Sequence, residues 1–290
     1  MNLNVHSSNT NIIQYLRERF PIVSLSLFSF ITALAINSSF EVHNYIKVFC
    51  VALIYLLFLF HLRVLDEFKD YQYDNKNHKD RPIQRGLISL SFIKTIGVIN
   101  FVLLSSIALL VSSIYVFLLC MVSLLYTGLM FKEFFISDYL RKRPVFYLIS
   151  HEIVLIPLYL FFYSVINGKL WVFSDFNKLS LFLFTFIPII LIEIGRKLKH
   201  RYSTEGKITN DTYAFIWGEK KSIQIFAILV LIAGLLSVFI QNFNFIFSAL
   251  IIISSFIIFL GSYLYPKLII NNNILITSTF VLGLPFLLLL

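Results

Sequence analysis

The sequence predicts an all-α, polytopic membrane protein of nine transmembrane helices around a central cavity. Three observations predict it: nine apolar runs of spanning length, 13% charged residues against 58% hydrophobic ones, and basic residues crowded into alternate loops. A soluble domain carries roughly twice that charge. The runs lie near 20–39, 45–65, 92–111, 113–131, 145–166, 178–196, 222–240, 244–262 and 272–290. Each approaches the roughly 20 apolar residues that cross a bilayer as a helix. The links at Ser112–Ser113 and Gln241–Asn244 are so short that each flanking pair must form an antiparallel hairpin.

With an odd number of spans, the two termini are expected on opposite faces. The N-terminal side collects Arg17 and Arg19, six basic residues from Arg63 to Arg85, then Lys132, Arg141, Lys142 and Arg143, seven from Arg196 to Lys221, and Lys267. The opposite side has Lys47, Lys169 and Lys178, and Lys94 opens the third run. Positive residues stay cytoplasmic, so the N-terminus and the long polar loops are expected there. This placement also accounts for the net charge of +9 without a nucleic-acid partner. Residues 1–21 form a polar N-terminal segment containing Arg17, Glu18 and Arg19, which predicts no cleaved signal peptide. Cys50 and Cys120 fall inside apolar runs and read as small hydrophobes.

The second apolar run continues into a charged segment with Asp66, Glu67, Asp70, Asp74, Asp80, Arg81, Pro82 and Arg85. At 100° per residue, Glu67, Asp70 and Asp74 fall within about 60° of one another, and Asp66 lies about 40° from Asp70. Carboxylates that close repel unless a cation holds them, and hard oxygen ligands suit Mg²⁺. Arg81 and Arg85 have the chemistry to grip phosphate oxygens bidentately. A solvated acidic helix end is the plainer reading, but acids at the mouth of a membrane span are costly unless they face a polar cavity.

These residues resemble the UbiA superfamily of intramembrane prenyltransferases. Its first signature, Asn-Asp-x-x-Asp-x-x-x-Asp, then Arg-Pro and Gly-x-Ile-Ser, matches Asp66-Glu67-x-x-Asp70-x-x-x-Asp74, Arg81-Pro82 and Gly86-Leu87-Ile88-Ser89. Asp66 stands where the family usually has Asn, and Glu67 where it has Asp. The resemblance spans 1–290 as one transmembrane domain. It implies Mg²⁺ on Asp66, Glu67, Asp70 and Asp74, catalysis by Asp70 and Asp74, and transfer of a prenyl group from a polyprenyl diphosphate to an acceptor.

The family's second signature, an Asp-x-x-x-Asp pair in the 6–7 region, is altered. Glu193 keeps one carboxylate as a catalytic and metal-binding candidate, whereas Lys197 occupies the other acid position. Arg196 and Lys197 are expected to contact phosphate directly, lowering the need for metal, or else to anchor the sixth span at the headgroups. Tyr126 and Lys132, after the fourth span, are further substrate-binding candidates. His151-Glu152, several residues into the fifth run, reads equally as an acceptor-binding or basic group and as an interhelix hydrogen bond. A terpene cyclase using the same ionisation, and a non-catalytic lipid-diphosphate binding or transport protein, are the alternatives.

Overall fold

The computed structural model describes residues 5–38, 40, 43–195, 197–236 and 245–265. The described residues form helices α1 (Val5–Arg19), α2 (Ile22–Asn37), α3 (Tyr45–Lys69), α4 (Tyr71–Asn77), α5 (Leu90–Val111), α6 (Ile114–Phe131), α7 (Ser137–Arg141), α8 (Pro144–Glu152), α9 (Leu155–Asn167), α10 (Phe176–Gly195), α11 (Tyr213–Trp217), α12 (Glu219–Leu236) and α13 (Phe245–Leu264). They contain no strand, so the all-α expectation holds there. Two compact units result: one built on Asn44–Leu170 with the chain up to Ala33 and Ser203–Glu205, the other on Leu34–His43, Trp171–Tyr202 and the chain from Gly206.

Among the described residues, α3, α5, α6, α10 and the α8–α9 pair taken as one span (Pro144–Asn167) are long and apolar enough to cross a membrane, five in all, or six if α1 and α2 count as one bent span. The seventh and eighth expected runs fall on α12, which begins with Glu219-Lys220-Lys221, and on α13. The ninth run, 272–290, lies outside the described residues. A multi-pass membrane protein is therefore established, and nine spans are not.

In the first unit, the α1–α2 axis bends by 56° between Arg19 and Ile22. Pro21 sits in that break, where it restricts Phe20 and cannot donate a backbone hydrogen bond. Asn44 caps α3 by accepting from the Lys47 amide, and Ser113 caps α6 by accepting from the Val116 amide. The Ser112–Ser113 link closes the expected α5–α6 hairpin. The fifth run is divided into α8 and α9 at Ile153–Val154. Pro157 explains the break, since it has no N–H to offer the Ile153 carbonyl and its ring would crowd that group.

Helix α3 is the spine of this unit, packed by α5, α6 and α9. The Tyr55 and Tyr159 hydroxyls meet at 3.0 Å, with Phe28 and Phe162 against the Tyr55 ring. Buried Asn100 donates from α5 to the Leu57 carbonyl of α3 at 3.0 Å. A Cβ built on Gly97 would come within 2.6 Å of Val64 Cγ1, so glycine is what lets α5 lie this close to α3. Val64 in turn packs with Tyr15, Ile83, Ile88 and Ile93, joining α1 and the 80s loop to the C-terminal end of α3.

In the second unit, α12 packs against α10, α11 and α13. Thr212 caps α11, and an isolated antiparallel bridge joins Tyr202 to Ile208 around the left-handed Gly206.

Candidate active site

The acidic segment is built by the end of α3 and by α4. Asp70 separates the two helices with φ −90° and ψ 0°, but amide-to-carbonyl bonds continue from Asp70 to Asp66, from Asp74 to Asp70 and from His78 to Asp74. That ladder keeps Asp66, Asp70 and Asp74 in the register expected from the spacing. Glu67 and Asp74 are fully buried, at 1% exposure, and Asp66 is half-buried with its carboxylate partly open to solvent.

Buried carboxylates need compensation, and three arginines supply it. Arg19 Nε donates to Glu67 Oε1 at 2.9 Å, Arg63 reaches the same oxygen at 3.1 Å, and the Tyr15 hydroxyl donates to it at 3.3 Å. Arg81 forms an ion pair with Asp74, and Arg19 approaches Asp74 at 3.8 Å. Arg63 also lies 3.8 Å from Asp66. Arg85, expected at the phosphate, instead forms a two-pronged pair with Glu18 of α1 at 2.7 and 2.9 Å.

Asp70 is the exception: among the described residues it makes no salt bridge. Burial, then repulsion from Asp66 and Asp74, pushes its carboxyl up to about 6. Asp74 Oδ1 is buried without a hydrogen-bond partner among the described residues. No three His, Cys, Asp or Glu side chains converge tightly enough to hold a metal by themselves among those residues. Mg²⁺ requires less, since it binds through one or two carboxylates and takes its other ligands from water and phosphate. Asp70 and the open oxygen of Asp74 fit that requirement. Glu67, expected as a ligand, has its described oxygen contacts taken by Arg19, Arg63 and Tyr15.

Lys69, between these acids, points to a different set of partners. Its Nζ lies 2.9 Å from the Tyr147 hydroxyl, 3.4 Å from Glu133 Oε1, 3.4 Å from His151 Nε2 and 3.5 Å from the Met130 carbonyl. Glu133 is brought there by three successive non-glycine residues in the left-handed region, with φ of 47°, 55° and 59° at Glu133, Phe134 and Phe135. Such conformations cost about 1 kcal/mol or more apiece and persist where surrounding structure imposes them. The same turn sets the Phe134 ring edge-on to Tyr126 and His151. Tyr126 donates to the Ser150 carbonyl at 2.8 Å, and exposed Lys132 caps α6 with its ammonium over the Phe131 ring.

The second unit carries its own charge cluster. Lys197 Nζ lies 2.6 Å from Glu193 Oε1 and over the Tyr213 ring at 5.3 Å. Arg196 lies outside the described residues. Asp211 accepts from Arg201 and Thr209. Burial alone would raise its carboxyl, but those donors outweigh it and hold it below the ordinary range.

Sequence reasoning missed Arg19, Arg63, Tyr15, Lys69, Tyr147 and Glu133 as parts of this chemistry. Arg63 was within reach, because it stands four residues before Glu67 on one helix face. The others depend on contacts remote in sequence.

The family model described as the UbiA prenyltransferase family matches residues 24–268. The chain belongs to that family. It is a membrane prenyltransferase, and a solved structure from work on digeranylgeranylglyceryl phosphate synthase in membranes shares its fold. The two superpose with a TM-score of 0.61 and 20% identity, over 96% of this chain and 98% of that one. No curated protein sequence matches this UbiA-family chain.

Proposed function

We propose that this UbiA-family enzyme transfers a prenyl group from a polyprenyl diphosphate to an acceptor within the membrane, on the cytoplasmic face of a nine-helix bundle. The observation that carries the reading is the register of Asp66, Asp70 and Asp74 at the end of an apolar helix, ringed by Arg19, Arg63 and Arg81.

Asp70 and Asp74 hold Mg²⁺ in this reading, with half-buried Asp66 in support. The bound ion would supply Lewis-acid neutralisation of the diphosphate as it departs. Arg81 moves its guanidinium from Asp74 to phosphate oxygens, and Arg85 joins it on release from Glu18, each offering paired N–H donors. Glu67 holds Arg19 and Arg63 in place. Lys132 and Tyr126 flank the substrate at the end of α6. In the second unit, Lys197, with Glu193 as its counterion and Arg196 beside it in sequence, is a further cationic candidate for neutralising phosphate charge directly. Apolar helices exclude water, so the allylic carbon meets the acceptor before solvent.

Incubating the purified enzyme with labelled geranylgeranyl diphosphate, Mg²⁺ and a membrane lipid extract tests the reading. A prenylated acceptor is the expected product. A free cyclic hydrocarbon would make the chain a cyclase, and binding without turnover would make it a carrier.

A further inference from the structure

The Lys69 cluster has one acceptor more than its ammonium can use. An ammonium carries three N–H donors. Four acceptor atoms lie within 3.5 Å of Lys69 Nζ: the Tyr147 hydroxyl, Glu133 Oε1, the Met130 carbonyl and His151 Nε2. Any three suffice, so the His151 lone pair can be given up without leaving the ammonium short of a partner.

The tautomer follows from the hydrogen-bond network. His151 Nδ1 lies 2.9 Å from the Tyr147 carbonyl, which can only accept, so Nδ1 carries the proton and Nε2 is the basic nitrogen. The ring is fixed by stacking on Tyr147 at 4.1 Å and by the edge of Phe134. Lys69 belongs to the helix end that carries Asp66 and Asp70, and the cluster is within electrostatic reach of both acids. Lys69, Tyr147 and His151 are half-buried, which leaves them within reach of a substrate, and Glu133 is buried behind them.

We propose that this cluster of Lys69, Glu133, Tyr147 and His151 is the acceptor side of the active site, with His151 Nε2 taking the acceptor's proton. The proposal rests on the prenyl-transfer reading above. The acceptor's electron pair forms the new bond to the allylic carbon, the carbon–oxygen pair leaves on diphosphate, and the acceptor's proton passes to Nε2 and then to solvent. Lys69 keeps all three donors satisfied on Tyr147, Glu133 and Met130 as this happens. Glu133, 3.4 Å from Lys69 Nζ, offsets the added positive charge beside the Lys69 ammonium.

The test compares wild type, His151→Gln and His151→Ala, using geranylgeranyl diphosphate as donor and a chloroform–methanol extract of expression-host membranes as acceptor source. Binding of geranylgeranyl diphosphate with Mg²⁺, transfer, and transfer with added imidazole are measured. A general base contributes about 10²- to 10⁴-fold. Transfer is therefore expected to fall at least about 100-fold in both variants while donor binding stays within about twofold, and imidazole should restore part of the loss in His151→Ala. Glutamine keeps the ring's approximate length and polarity, so His151→Gln decides the matter through kcat alone if His151→Ala does not fold. Transfer near the wild-type rate in His151→Gln, donor binding lost together with transfer, or a folded His151→Ala that imidazole fails to rescue would each overturn the assignment. A wild-type enzyme that binds donor but transfers it to nothing overturns the transfer reading itself, and this proposal with it.

Discussion

Arg19 Nε, at the end of the N-terminal helix, donates to Glu67 Oε1 at 2.9 Å. An acid that the family resemblance assigns to metal is thereby tied to a guanidinium 48 residues earlier in the chain. Tyr15 and Arg63 complete the hold, so the polar N-terminal segment is part of the site's construction.

Glu67→Ala is therefore expected to act on stability more than on metal binding. Removing one partner of a buried ion pair leaves the others uncompensated and costs on the order of 3 kcal/mol. Melting in detergent should drop further for Glu67→Ala than for Asp70→Ala. An equal or smaller drop, with Mg²⁺ affinity lost, would restore Glu67 as a ligand.

Asp70→Ala and Asp74→Ala should each abolish diphosphate-dependent turnover, by about 100-fold or more, with the fold retained in detergent. Size-exclusion behaviour and melting check the fold, and release of diphosphate checks the chemistry. Full turnover with Mg²⁺ in either variant would displace the site.

The pH dependence has a definite sign. The folded-state value of about 6 for Asp70 is raised above the ordinary 3.8, so the fold favours the protonated form. Without cation, that contribution to stability is present below the unfolded value and is lost as pH rises through about 6. Mg²⁺ competes with the same proton, so its affinity should climb with pH up to about 6 and level off above it. Calorimetric titration with Mg²⁺ at several pH values should show this limb in wild type and lose it in Asp70→Asn.

At Lys197 the two readings of the altered second motif diverge. Lys197→Ala should raise the Michaelis constant for the prenyl diphosphate by about tenfold with the Mg²⁺ requirement little changed, as expected for loss of one charge-assisted contact. Lys197→Asp should raise the Mg²⁺ requirement. An unchanged Michaelis constant in Lys197→Ala would reduce the residue to a headgroup anchor.

Orientation is testable within the first unit. With Cys50 and Cys120 replaced by serine, Asp138→Cys should label from the cytoplasmic face and Lys169→Cys from the other. Labelling of both from one face would refute the loop-charge assignment.

The helices were legible because apolar length and caps are local properties. The Ser112–Ser113 hairpin and the acid register follow from spacing alone. The division at Ile153–Val154 was hidden because an apolar run looks continuous, although Pro157 marks it. The cations facing the acids were not legible: Arg19 read as a topology signal and Arg63 as loop charge, and only tertiary packing through Tyr15 and Val64 turns them inward. His151 was visible as a polar residue in an apolar run, but its tautomer and its partner Lys69 depend on a turn whose left-handed residues carry no glycine signature.

The close approach of Gly97 to Val64 makes the acid site sensitive to a helix that supplies none of its chemistry. Val64 follows Arg63 on α3 and packs against Tyr15, so a methyl group added at position 97 would press on the helix segment that carries Arg63 and on the seat of Tyr15. Loss of function arising there would leave every acid and arginine in the sequence intact. The requirements of the acid site thus extend into an apolar helix face, where the constraint is clearance and not charge.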